Sequence, residues 1–131
     1  MKYDISTRQD LELLIHQFYS TALTDKEIGH FFTEVIQLNM EKHIPVITDF
    51  WESVILDNMI YRGNVMVKHI ELNRLSKMTR AHFDRWVGIW EQTVVNNFEG
   101  ENADATIQKA KTMRELMLFK IEQSENRGFI L

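Results

Sequence analysis

The feature that most constrains this chain is the helical spacing of its apolar residues. They recur at intervals of three and four, and only one proline and five glycines interrupt 131 residues. We find no strand-like alternation and no internal repeat. A chain of this length suits one compact unit, so the sequence predicts a single all-α domain over residues 1–131, with a loose polar tail from about 123 to 131.

Capping residues and breakers predict the helix boundaries. Thr7, followed three residues later by an acidic side chain, is typical of a helix start. Three other long helices are predicted. One runs from about Met40 to Leu56 with Asn39 as its cap, one starts after Thr79, and the last starts at a cap formed by Asn102 or Asp104. Between the long helices we expect a short helix starting at Asp25, a core-plugging corner at Phe31-Phe32 and a loop over 73–77.

Charge and cysteine content exclude several classes of function. The net charge of −4 argues against nucleic-acid binding, which requires a basic face. The absence of cysteine excludes disulfides, zinc fingers, iron–sulfur clusters, thiol catalysis and covalent haem attachment. The polar start lacks the apolar core of a signal peptide, and no apolar run is long enough for a bilayer. We therefore expect a cytoplasmic protein without membrane partners.

One histidine stands apart from any second ligand. The stretch from Tyr61 to Leu72 delivers His69, and near it there is no cysteine, no paired histidine and no Ser/His/Asp grouping. A histidine acting alone indicates one bond to a metal held mostly by something else, and haem is the common case. A surface residue or a satisfied core group is the alternative. The 14 aromatics and 7 methionines could line a slot for a flat macrocycle or fill a core.

Seven groups of residues occur in a recognisable order between about Leu11 and about Met117. They are Phe18-Tyr19, residues 25–32, His43-Ile44-Pro45, residues 50–53, residues 61–64, Lys68-His69 and residues 83–86. In this order the chain resembles the third group of truncated haemoglobins. The resemblance implies a truncated globin fold, a 2-on-2 helical sandwich around non-covalent haem b.

The resemblance also implies roles for individual residues. His69 matches the proximal iron ligand, whereas Tyr19 and Trp86 match polar residues on the ligand-binding side. His43 matches a distal histidine that can swing in or out, and Ile47 is expected beside it. The candidates for haem contact, each of which could equally serve core packing, are Phe32, Phe50, Trp51, Tyr61, Met66, Met78 and Phe83, with Lys68 and Arg74 as partners of the propionates.

These roles imply binding of O2, NO or CO at the sixth position of the iron. Two donors, Tyr19 and Trp86, would slow oxygen release, which suits O2, NO or peroxide chemistry or detoxification better than transport. Peroxidase or nitric oxide dioxygenase turnover would need a separate reductase, because the single domain includes none. The alternative is a haem-free helical module for protein interaction.

Overall fold

A computed structural model describes residues 2–36, 39–58 and 65–126, with only the backbone described at 65–67, 70, 75 and 124–126. Over these ranges it contains five α-helices and one π-helical turn. In chain order they are α1 (Arg8–Ala22), the π-turn (Phe31–Val35), α2 (Met40–Ile55), α3 (Val65–Leu75), α4 (Arg80–Asn97) and α5 (Glu101–Asn126).

Local capping starts α1 and α4, as predicted. The Thr7 hydroxyl accepts a hydrogen bond from the Asp10 N–H at 3.2 Å, and the Asp10 carboxylate accepts from the Thr7 N–H at 3.1 Å. At α4 the Thr79 hydroxyl accepts from the His82 N–H, and His82 Nδ1 accepts from the Thr79 N–H at 3.0 Å. Each pair satisfies two backbone donors that a helix start leaves free.

The start of α5 corrects the sequence prediction. The helix begins at Glu101, and its cap is neither Asn102 nor Asp104 but Asp4, 98 residues before Asn102. The Asp4 carboxylate accepts from the backbone N–H of Asn102 at 2.9 Å and of Ala103 at 2.8 Å. This cap was missed because nothing local in the sequence shows which distant carboxylate reaches a helix end.

Three further boundaries differ from the prediction. No helix starts at Asp25; its carboxylate instead accepts from two backbone N–H groups in a turn, and the π-turn follows at Phe31. Helix α3 continues to Leu75, where a loop from Asn73 was expected, and Asn73 closes its end by accepting from the Met78 N–H at 2.9 Å. Residues 123–126 of the expected tail are helical, and 127–131 lie outside the described residues.

The helices form two packed pairs. Helix α1 packs on α2 and α4 packs on α5, while α1 contacts α4 and α2 contacts α5 across the pairs. Helix α3 packs against α5 and the π-turn. Phe31 and Phe32 are buried at the corner before α2, so they plug the core as predicted. The all-α, 2-on-2 arrangement predicted from the sequence is confirmed.

Within the described ranges, none of the helices has the length and apolar character needed to cross a membrane.

Candidate functional site

A cavity of about 300 Å³ lies between the helices and reaches the surface beside α3. Helices α2 and α3, which border it, do not pack on each other over their described residues, so the cavity separates them. Its size and mostly apolar, aromatic wall are typical of a small-molecule site. The predicted site residues that it gathers are Tyr19, Phe32, His43, Ile47, Phe50, Trp51, Lys68, His69, Phe83 and Trp86.

A tyrosine and a histidine that line the cavity form a part-buried hydrogen-bonded pair. The Tyr19 hydroxyl of α1 lies 2.7 Å from Nε2 of His43 on α2, so this structure places His43 inside the cavity. Tyr19 is 5% exposed, and its ring packs edge-to-face on Phe18 and Phe32. Burial raises the pKa of the Tyr19 hydroxyl, and burial together with the nearby His69 lowers the pKa of His43. The pair is therefore a neutral phenol beside a neutral imidazole at pH 7.

His69 of α3 also lines the cavity. Its ring is half-buried, with ring centroids 5.5 Å from Trp86 and 6.0 Å from Phe83. Both of these aromatic residues belong to α4, so the imidazole of His69 packs beside that helix. His69 also contributes to the lowered pKa of His43, because a positive charge on one imidazole disfavours protonation of the other.

Four predicted site residues are not seen at this cavity. Arg74 is exposed and Met78 is buried in the core, and neither lines the cavity. Tyr61 and the side chain of Met66 lie outside the described residues.

Sequence reasoning missed part of the wall. Trp90 lies one turn after Trp86 on the same face of α4, but it was assigned only to the core. Met113 and Met117, four apart on α5, also line the cavity. Their spacing signals an inward face, yet it cannot distinguish a cavity wall from ordinary core packing. The remaining cavity-lining residues not predicted are Phe18, Ile36, Glu71, Leu72, Val87, Ala110 and Arg114.

The cavity wall is mostly apolar, and it includes the His69 imidazole and the hydrogen-bonded Tyr19–His43 pair. In the part of the chain that the structure describes, no three His, Asp or Glu side chains cluster as ligands for a metal ion. A bare cation would therefore lack a ligand set, since structural metal sites use about four protein ligands. The arrangement instead suits a flat, mostly apolar occupant that needs one basic ligand from the protein.

Comparison with known proteins gives one curated relative and one solved structure that are similar to this chain. No protein-family model matches the chain. The sequence is 24% identical over 126 residues to the group 3 truncated haemoglobin of Campylobacter jejuni, covering 92% of this chain and 97% of that protein. The crystal structure of the group III truncated haemoglobin from Campylobacter jejuni superposes with a TM-score of 0.81 at 22% identity, covering 92% of this chain and 95% of the other. The resemblance inferred from the sequence is thus confirmed: the chain has the truncated globin fold and is similar to the group III truncated haemoglobins.

Proposed function

We propose that the chain binds haem in this cavity through His69 and holds a diatomic gas on the Tyr19 side. The observation that carries the proposal is that His69 of α3 and the hydrogen-bonded Tyr19–His43 pair line the same cavity. The names of the relatives support a haemoglobin-like role.

The residues present fit a haem group. A porphyrin supplies four of the iron ligands, so the protein needs to supply only one imidazole. His69 is the candidate for that ligand. Phe32, Phe83 and Trp86 supply flat apolar surface along the cavity. Lys68 is exposed at the mouth, where its ammonium group would be available to a propionate. We propose that the haem is the non-covalent haem b, because the chain has no cysteine for covalent attachment.

Bound haem would supply an iron atom with one open coordination position for O2, NO or CO. Whether the protein can donate a hydrogen bond to such a ligand depends on the position of the proton shared between Tyr19 and His43. If the phenol donates to Nε2, the hydroxyl proton is used within the pair. If Nε2 carries the imidazole proton and donates to the phenol oxygen, the hydroxyl proton is free to point into the cavity. In this second arrangement, which we propose for the ligand-bound protein, His43 orients Tyr19 as a donor toward the ligand.

A donor held in an apolar cavity favours retention of a partly negative ligand over its release. We therefore propose O2, NO or peroxide chemistry in preference to oxygen transport. Sustained turnover would require electrons from a separate reductase, which we propose as a partner.

Haem titration tests the proposal. The parent should take up one equivalent of haem, with a Soret band that shifts on addition of CO. A His69→Gly variant should lose or alter this spectrum, and free imidazole should restore it by replacing the deleted ring. His16→Gly is the matched control, since His16 is exposed on α1 and does not line the cavity.

Two results would contradict the proposal. The first is the absence of stoichiometric uptake by the parent, which would leave a haem-free helical module. The second is a His69→Gly spectrum identical to that of the parent, which would assign the iron to another residue.

A further inference from the structure

The charged side chains that line the cavity come from two helices that pack on each other. They are Lys68 and Glu71 of α3 and Arg114 of α5. Over the described residues, the lining that α1, α2 and α4 contribute carries no carboxylate, ammonium or guanidinium group. The cavity is therefore an apolar slot with one charged side, where two cations and one carboxylate leave an excess of one positive charge.

Arg114 belongs to a closed ring of ion pairs between α4 and α5. Its Nη1 lies 3.3 Å from Asp84, and its Nε donates to Glu115 at 2.9 Å. Arg80 completes the ring, at 2.7 Å from Glu115 and 3.9 Å from Asp84. The Arg114 side chain is 21% exposed, against 50–57% for the other three members. The ring therefore holds one cavity-lining arginine in place, while the rest of it lies mostly in solvent.

An arginine in two ion pairs retains capacity for a further acceptor. A guanidinium carries five N–H donors in a planar fork, and the ion pairs described above use Nε and Nη1 of Arg114. The fork matches the geometry of a carboxylate, which is the anionic group that it binds best with two parallel hydrogen bonds. Lys68 of α3 is exposed and adds a second cation to the same side of the cavity.

We propose that Lys68 and Arg114 form a carboxylate-binding site that favours macrocycles with free carboxylate groups. The inference rests on the proposed function, because it takes the occupant of the cavity to be a porphyrin, whose carboxylates are its propionates. Arg114 then takes the role that the sequence suggested for Arg74, which is exposed and does not line the cavity.

Metal-free protoporphyrin and its dimethyl ester are the probes, because they differ in free carboxylates and neither can bond to His69 through iron. Arg114→Gln should weaken binding of the free acid by about three- to tenfold and leave binding of the ester unchanged. Fluorescence titration of each macrocycle measures both affinities. Arg74→Gln is the matched control, since it removes the same charge from an arginine outside the cavity wall, and it should keep the parent's affinities.

Arg114→Lys protects the test against a variant that folds poorly. It keeps the charge and removes the planar fork, so its affinity for the free acid should lie between those of the parent and Arg114→Gln. Equal weakening of acid and ester by Arg114→Gln would overturn the inference, because Arg114 would then only shape the wall or join α4 to α5. An unchanged affinity for the acid, or an equal effect of Arg74→Gln, would overturn it as well.

Failure of the proposed function gives a different result. If His69→Gly kept the parent's haem spectrum while Arg114→Gln still distinguished acid from ester, the carboxylate site would stand and His69 would not be the iron ligand. If the parent took up haem through His69 but Arg114→Gln bound the free acid as tightly as the parent does, the proposed function would stand without this site. A parent that binds neither macrocycle would overturn the inference.

Discussion

At the scale of single residues, the Tyr19 hydroxyl is the group on which the proposed ligand retention depends. It is buried, it lies 2.7 Å from His43, and burial keeps it protonated by raising its pKa. A protonated phenol in an apolar cavity can donate but cannot provide charge. Its contribution to a bound gas is therefore a hydrogen bond, and that bond can be removed without removing the ring.

Tyr19→Phe should leave haem uptake intact and speed gas release. The ring contacts with Phe18 and Phe32 survive the substitution, so the cavity keeps its shape. A hydrogen bond to a charged partner contributes about 1.5–3 kcal/mol, which corresponds to roughly 10- to 150-fold faster O2 dissociation. Stopped-flow measurement of O2 dissociation checks this. Tyr3→Phe is the control, since Tyr3 is 77% exposed and is not one of the residues that line the cavity. Equal O2 dissociation rates in the two variants would remove Tyr19 from the ligand site.

At the scale of elements, the first turn of α4 contains a pH-sensitive cap. His82 Nδ1 accepts the Thr79 N–H at 3.0 Å, and only a neutral imidazole can accept there. Burial, followed by the charge of His30, lowers the pKa of His82 from 6.5, while Glu27 acts in the opposite direction. The His82 side chain is half-buried against Phe31.

His82→Gln should remove part of the acid sensitivity of folding. The folded-state pKa of His82 is lowered, so its contribution to stability is present above pH 6.5 and is lost as the pH falls through and below that value. Glutamine keeps a neutral acceptor at the same capping position. Denaturant unfolding between pH 8 and 5 should show the parent losing about 1 kcal/mol more than His82→Gln. Because His43 is present in both chains, the difference between their losses of unfolding free energy reports on His82. His16→Gln is the control and should lose as much stability as the parent.

The start of α5 depends on a residue at the other end of the sequence. Burial of the Asp4 carboxyl opposes its ionisation, but hydrogen bonds from the backbone of Asn102, Ala103 and Ile5 lower its pKa below 3.8. Asp4→Ala should therefore reduce the free energy of unfolding at pH 7 by about 0.5–2 kcal/mol, and the difference from the parent should shrink as the pH falls below 3.8. Urea unfolding measures both effects.

Asp104→Ala is the matched control for the Asp4 cap. Asp104 is an exposed acidic residue in the first turn of the same helix, so its substitution removes charge from the helix start and leaves the Asp4 bonds. An equal loss in the two variants would indicate that charge alone, rather than the cap, stabilises the start of α5.

These elements show which parts of the fold could be predicted. The caps at Thr7 and Thr79 bond within three residues, so sequence spacing was sufficient to find them. The Asp4 cap depends on tertiary folding and has no local signal. The residues of the candidate site also differ in how far the sequence predicts them. His69 could be singled out because no second ligand is near it in the sequence. Met113 and Met117 could not, because their spacing is that of any core-facing helix.

At the scale of the whole molecule, the cavity is bordered by all five helices. An occupant that contacts all of them stabilises the folded chain, because it binds the folded state and not the unfolded one. Two forces would contribute to that binding. Apolar contact depends on the cavity wall as a whole, whereas the proposed bond to iron would depend on His69.

Haem and metal-free protoporphyrin should separate these two forces. At free ligand about 100-fold above Kd, either should stabilise the parent by about 2.7 kcal/mol, which raises Tm by roughly 5–10 °C. Without iron, the macrocycle makes apolar contacts but no bond to the imidazole. His69→Gly should therefore weaken the stabilisation by haem and leave that by protoporphyrin almost unchanged, as measured by calorimetry over a ligand titration.

If His69→Gly reduced both equally, the histidine would be shaping the cavity rather than binding iron. If protoporphyrin gave no stabilisation even to the parent, the apolar wall would not be a macrocycle site, and any effect of haem would have to arise elsewhere on the chain.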